Sequence, residues 1–309
     1  MWYGQIVIGP PGSGKSSYCS GMQQLLAALQ RQQIVLNLDP MNDLLPYKCA
    51  INVKDLIDGE EVMRSHQLGP NGAMIYCMEY LLENIDWLVE KLNAFKNHYV
   101  LIDCPGQVEL FTHHDALRSI IRHLESLDFR MAAVQIVDST LCTDAFKHIS
   151  ALLMALNAQL QLELPHVNVL SKVDLLRLHR KDLKFRLEFY ADAYELQPLL
   201  QAVQEDPHPL GRKLMDFSRA VCELVEDFNL VSFFPVCVTD KECMLLVLRV
   251  ADAANGFALG NYAENERGYP LQLDTEEERQ MLIERLQERY VDFDPAEEEG
   301  DAEESSEVD

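Results

Sequence analysis

The stretch "IGPPGSGKSS", residues 8–17, decides how the rest of the chain is read. Positions 9–16 satisfy the pattern G-x-x-x-x-G-K-[ST] in full. An apolar run, "QIVIG" at 5–9, precedes it, and a helical pattern, "SSYCSGMQQLLAALQRQ", follows. Strand, glycine loop, helix is the context in which this pattern binds phosphate. The backbone N–H groups of Gly12, Gly14 and Lys15, with Ser13 and Ser17 in the same cradle, then face an anion at a helix N-terminus. Lys15 reaches the outer phosphates, and Ser16 is a ligand for Mg²⁺. The bland alternative is a Gly-rich turn with a surface lysine, and the flanking strand and helix argue against it.

Further apolar runs lie downstream, each ending in a turn or a polar group. They are "QIVLNLD" (33–39), "YVLIDCPG" (99–106), "MAAVQIVD" (131–138), "HVNVLSKVD" (166–174) and "VSFFPVCV" (231–238). Continuous Val, Ile and Leu without alternation predicts strands covered on both faces, hence a parallel sheet. Helical patterns separate them: "AMIYCMEYLLENIDWLVEKLNAF", "DALRSIIRHLES" and "DAFKHISALLMALNAQLQ". The alternation predicts an α/β fold of the P-loop NTPase class, an open, mostly parallel sheet with helices on both faces. This domain is expected over 1–262, with a long connection at 40–98 and a helical insertion at about 175–230. A further helix is expected within 263–291. Thr275 and Glu278 fit a capping box there, and Met281, Leu282, Leu286 and Tyr290 share a face that packs on the body or on a partner.

The net charge is −24, which argues against a nucleic-acid surface or an anionic membrane as partner. Part of it is local: "DFDPAEEEGDAEESSEVD" holds acidic residues and no Lys or Arg. Lacking apolar residues for a core, 292–309 is expected to be a disordered acidic tail. Eight Cys occur without a C-x-x-C pair, which suggests reduced thiols rather than a zinc site or disulfide framework. No signal peptide pattern opens the sequence, and runs such as "ALLMALNAQL" are too short to span a bilayer. A cytoplasmic protein is expected, with shuttling to the nucleus left open.

Other strand ends carry candidate chemistry. In "LIDCPGQVE" (101–109), Asp103 is placed to hold a Mg²⁺-bound water, and the Gly106 N–H to meet a γ-phosphate. Gln107 is placed to orient an attacking water, with Glu109 holding the same water or its neighbour. Asp39 in "LNLDP" either serves a Mg²⁺ water or the attacking water, or is a turn former before Pro40. In "LSKVD" (170–174), Asp174 is placed to accept from guanine N1–H and the 2-amino group, which adenine lacks. The stem of Lys172 is placed over the base. Guanine-specific GTPases commonly have Asn where this chain has Ser171. His113 and His114 read as ordinary helix-start histidines rather than metal ligands.

A second Gly-rich turn, "GPNG" at 69–72, has no role in a lone phosphate site. Asn71 and Gly72 start the following helix, or Asn71 offers uncharged amide donors to something else. With "GPPGSGKSSYC", "NLDP", "LGPNGAMIYCMEYL" and "DCPGQVELFTHH", this turn makes nearly the whole body resemble the GPN-loop GTPase family. The resemblance implies a P-loop GTPase that binds GTP or GDP with Mg²⁺. It implies a pseudo-symmetric dimer, with itself or with a paralogous GPN-loop GTPase, in which Asn71 of each subunit enters the other's site. It also implies a role in assembly and nuclear import of RNA polymerase II, extending to polymerase III, with polymerase subunits or assembly factors as partners. Two rival readings stay open. A P-loop small-molecule kinase would need an Arg-rich lid, and 40–98 offers only Arg64. A nucleotide-stabilised scaffold would bind without turnover.

Overall fold

The computed structural model describes residues 1–205, 209–257 and 275–292. Seven strands form one sheet in the order β3-β2-β4-β1-β5-β6-β7. They are β1 (Trp2–Ile8), β2 (Gln33–Asn37), β3 (Cys49–Asn52), β4 (Tyr99–Asp103), β5 (Phe129–Asp138), β6 (His166–Ser171) and β7 (Phe233–Val236). Every neighbouring pair is parallel. The unbroken apolar runs follow from this, because side chains on both faces of a central strand meet helices. In β1, Ile6 and Ile8 join one core while Val7 joins the other, the period of two that a strand imposes.

The first core lies beneath α3 (Pro70–Glu83), α4 (Ile85–Asn93) and α6 (Asp115–Ser126). The second lies beneath α1 (Lys15–Ala28) and α11 (Lys241–Asn255). Short helices α2 (Gly59–His66) and α5 (Glu109–Thr112) complete this half. Beyond β6, α7 (Ala145–Leu162) packs with α8 (Leu187–Asp192), α9 (Gln197–Glu205) and α10 (Pro209–Phe228) around a third core that includes Leu152, Leu199, Val225 and Phe233. Pro235 sits in β7, an edge strand, where its missing N–H removes no inner ladder bond.

Three details differ from the sequence expectation. The connection 40–98 contains β3, a four-residue edge strand with too little apolar length to announce itself. The single helix expected over 73–95 is two. Asn84 leaves helical geometry at φ −109° and ψ 34°, and its side chain donates to the Tyr80 carbonyl at 2.8 Å, closing α3 from within. On α12 (Thr275–Gln287), Met281 is exposed while Ile283, with Leu282 and Leu286, enters the second core. The Thr275 side of the expected capping box, the stretch 258–274 and the acidic tail from 293 lie outside the described residues.

One buried cation holds α12 to the body. Arg279 is 4% exposed. Its guanidinium donates to the carbonyls of Phe233 and Ala191 and pairs with Asp192 at 2.7 Å. Removing it strands two carbonyls and a carboxylate. Arg279→Ala should lower unfolding free energy by about 3–5 kcal/mol, read as a lower urea midpoint at unchanged slope. A midpoint within error of wild type would mean that α12 contributes nothing to the folded body.

Candidate functional site

At β1 the chain reverses direction across the sheet, since β4 lies on one side and β5 on the other. Open parallel sheets bind ligands in the crevice beyond the strand ends at such a point. Ile8, Asp103 and Asp138 are the last residues of these three strands, and Ser171 ends the next.

The phosphate loop runs from β1 into α1. Gly12 and Gly14 have φ of 76° and 101°, left-handed values that a side chain would resist. Gly14 caps α1 without a side-chain hydrogen bond, so the orphan N–H groups of the first turn stay open to an anion. Lys15 is buried, and its Nζ donates to the Pro10 carbonyl at 3.1 Å. Gly106 lies against this loop. A Cβ there would come within 3.1 Å of both Lys15 Nζ and Pro11 Cα, so any larger residue would press the two loops apart by a few tenths of an ångström.

Ser16 and Asp103 meet as a metal site requires. The Ser16 hydroxyl donates to Asp103 Oδ2 at 2.7 Å, which leaves its oxygen lone pairs free. Asp103 Oδ1 is buried with no partner among the described residues. These atoms fit Mg²⁺: a hydroxyl oxygen for direct ligation and a carboxylate oxygen for a metal-bound water. No cluster of three or more His, Cys, Asp or Glu among the described residues could hold a metal alone, so phosphate oxygens and waters would complete the shell.

The charges here are held against their own burial. Desolvation depresses the Lys15 ammonium, and the carboxylates of Asp103 and Asp39 partly restore it. Burial raises the Asp103 carboxyl, opposed by the Ser16 and Tyr47 hydrogen bonds and by Lys15. Burial also raises Asp39, opposed by the Met41 N–H and Lys15. Asp39 Oδ1 accepts from that N–H at 3.0 Å, so the turn-former reading holds for one oxygen. The same residue is near enough to bias Lys15 and Asp103.

The loop after β6 is fastened to the phosphate loop. Ser171 Oγ, buried, donates to the Ser13 carbonyl at 2.6 Å and lies 3.1 Å from the Val137 carbonyl. Lys172 has a left-handed backbone, φ 60°. Its Nζ donates to the Gly12 carbonyl at 2.5 Å and to Asp138 Oδ2 at 2.7 Å. Burial would raise Asp138, but hydrogen bonds from Lys172 and Thr140 prevail and hold its carboxyl below the usual range. Asp174 starts the next short helix half-buried, with no hydrogen bond or ion pair among the described residues.

The remaining candidates are more exposed. Gln107 is half-buried, and its Oε1 is buried without a partner. Glu109 is exposed at the start of α5, and Ser17 is exposed on the first turn of α1. Gly69, Pro70 and Asn71 are all exposed at the start of α3, where Pro70 occupies the first turn. Asn71 begins a helix, as one reading held, yet its side chain caps nothing. His114 caps α6, its Nδ1 accepting from the Ala116 N–H.

Sequence reasoning passed over two residues. Asp138 carried the same signal as Asp103, an acid closing an apolar strand. Tyr47, whose hydroxyl donates to Asp103 Oδ2 at 2.8 Å, sits in an irregular stretch with no periodicity to mark it. Burial and the Asp103 charge push its phenol far up, so it remains a donor.

Comparison with known proteins agrees with this geometry. A family model described as "Conserved hypothetical ATP binding protein" matches residues 7–257. A GPN-loop GTPase 2 of Danio rerio is 47% identical over 262 residues, 85% of this chain and 83% of that protein. A GPN-loop GTPase of Arabidopsis thaliana is 47% identical over 83% of this chain and 86% of its own length. A GPN-loop GTPase 2 of Saccharomyces cerevisiae is 41% identical over 97% of this chain and 88% of its own. The crystal structure of a GTPase in apo form from Pyrococcus abyssi shares the fold, with a TM-score of 0.64 and 24% identity over 82% of this chain and 97% of that one.

The desolvated Asp103 gives a stability test. A carboxyl raised by folding weakens the fold as pH climbs from its ordinary value, 3.8, through the raised one. Above the raised value the loss is complete, and an uncharged isostere escapes it. Nucleotide-stripped Asp103→Asn should therefore melt at or above wild type at pH 7, while losing the extra melting-temperature gain that Mg²⁺ adds to GDP. A stripped variant that melts clearly lower would show that the charge stabilises the empty site.

Proposed function

The chain belongs to the GPN-loop GTPase family, and we propose that it is a Mg²⁺-dependent GTPase whose nucleotide state controls a dimer. The observation that carries this is the junction of the two loops. Lys172 and Ser171 take the Gly12 and Ser13 carbonyls, so the loop bearing Asp174 is joined to the loop that cradles phosphate. The family model's description names ATP and the relatives' names say GTPase. The free carboxylate of Asp174 favours guanine, whose N1–H and 2-amino group both donate. Adenine would leave that carboxylate unpaired.

In the proposed reaction water oxygen bonds to the γ-phosphorus of GTP. The bond to the bridging oxygen breaks, its electron pair stays on GDP, and the water's proton leaves with phosphate or solvent. Bound Mg²⁺ would supply charge neutralisation at the phosphate oxygens. Ser16 and Asp103 hold its place. Lys15, already desolvated, offsets the negative charge that builds on the leaving side. Gln107 Oε1 lacks a partner, which suits acceptance of a hydrogen bond that orients the attacking water. Asp39, coupled electrostatically to Lys15, and exposed Glu109 are the further candidates for holding that water.

The dimer reading rests on the Gly-Pro-Asn turn. Pro70 stiffens it, and the Asn71 amide is exposed with no hydrogen bond among the described residues, as suits a donor meant for a neighbouring subunit. Arg64, the cation that a kinase lid would use, donates instead to the Glu60 carbonyl on its own helix. No helix among the described residues is long and apolar enough to cross a membrane. On family resemblance alone, we also propose the role in RNA polymerase II assembly.

Mixing variants tests both turnover and the trans arrangement. The purified wild-type chain, alone or with a paralogue, should release phosphate from GTP without an added acceptor. Asn71→Ala should bind GTP normally and slow turnover at least about tenfold, below the 10²–10³ seen for oxyanion donors in other enzymes. Combined with Lys15→Ala, it should regain turnover above either variant alone, because one composite site keeps both intact parts. Mixed dimers that form but stay inactive would contradict the trans site. A wild type that binds GTP without turnover would leave the scaffold reading.

A further inference from the structure

The Asp103 carboxylate is held unevenly. Oδ2 receives two donors, Ser16 Oγ at 2.7 Å and Tyr47 OH at 2.8 Å, while Oδ1 is buried and receives none. Ser16 belongs to the phosphate loop's own helix. Tyr47 does not: it comes from the connection between β2 and β3. Its ring is buried in the second core, among Tyr18, Cys19 and Met22 of α1. The backbone around it is pinned to that helix. Ser20 Oγ donates to the Pro46 carbonyl at 2.9 Å, and the Gln23 amide exchanges two 2.9 Å bonds with the Lys48 backbone. Packing the ring does not require the hydroxyl to reach a carboxylate, and a phenylalanine would fill the same space.

We propose that Tyr47 is a positioning residue for the magnesium site: its hydroxyl fixes the plane of the Asp103 carboxylate so that Oδ1 is the oxygen presented to a metal-bound water. A carboxylate with one donor turns about its last side-chain bond, and its two oxygens exchange. A second donor on the same oxygen, anchored to a different segment, removes that freedom. The segment 39–47 thereby meets the site at both ends. Asp39 biases Lys15 and Asp103 electrostatically at one end, and Tyr47 holds Asp103 at the other. This inference rests on the Mg²⁺-dependent reading above.

Tyr47→Phe in the full chain tests it, with the release rate of a fluorescent GDP analogue measured across a Mg²⁺ titration and in EDTA. In EDTA the variant and wild type should release at the same rate, with the variant folded and melting somewhat lower for the bond lost to a buried carboxylate. The Mg²⁺ concentration that halves the release rate should rise about tenfold, the scale of one hydrogen bond to a charged acceptor. Titrations that superimpose, with wild type clearly Mg²⁺-dependent, overturn the role of Tyr47 and leave the magnesium reading standing. An equal difference in EDTA overturns it too, because the hydroxyl would then act on the loop and not on the metal. A wild type indifferent to Mg²⁺ overturns both.

Discussion

Two carbonyl oxygens, those of Gly12 and Ser13, are taken from behind by Lys172 and Ser171. A backbone that turns through two left-handed glycines can present its N–H groups to either side. Fixing the carbonyls toward the base loop leaves the first turn of α1 open to the crevice, where phosphate binds. The same bonds join the ends of β1 and β6, which are separated in the sheet by β5. The phosphate loop and the loop bearing Asp174 are therefore one joined unit. Asp138, the end of the strand between them, completes it by holding the Lys172 ammonium at 2.7 Å.

That unit surrounds charges kept out of water. Lys15, Asp103 and Asp39 each lie in an environment that opposes their charged form; the ammonium and the two carboxylates partly offset one another, while Asp39 adds to the burden on Asp103. Folding stability does not account for such an arrangement, because buried charges are weak stabilisers unless fully paired. The proposed polyanion with a divalent cation would resolve it, phosphate meeting the ammonium and the cation the carboxylates. An unpaired buried oxygen on Asp103 marks the same place. The body is stabilised elsewhere, by the two sheet faces and by the Arg279 anchor of α12.

Much of this was legible in the sequence because strand ends are punctuated. Gly9–Ser16, Asp103, Gly106 and Asp174 all close apolar runs, and a parallel sheet brings such ends to one edge. The unbroken character of those runs also foretold helices on both faces. What escaped lacked either period or length. β3 is four residues on an edge, and Asn84 breaks a continuous apolar pattern through a side-chain bond that no spacing reveals. Tyr47 comes to Asp103 across 56 positions through an irregular connection. On α12 the expected face keeps Leu282 and Leu286 but takes Ile283 in place of Met281, where the helix packs beside β7 and α8. Ser171, expected near the base, instead braces the phosphate loop.

The joined loops make one direct demand: recognition of the base and of the phosphates must come together. Isothermal titration of the nucleotide-stripped chain with GDP and with ADP, both with Mg²⁺, measures it. The account predicts at least about 100-fold tighter binding of GDP. It also predicts that Asp174→Ala weakens GDP by ~10- to 100-fold, the worth of hydrogen bonds to a charged acceptor, and leaves ADP unchanged. Equal affinities for GDP and ADP in the wild type would contradict it.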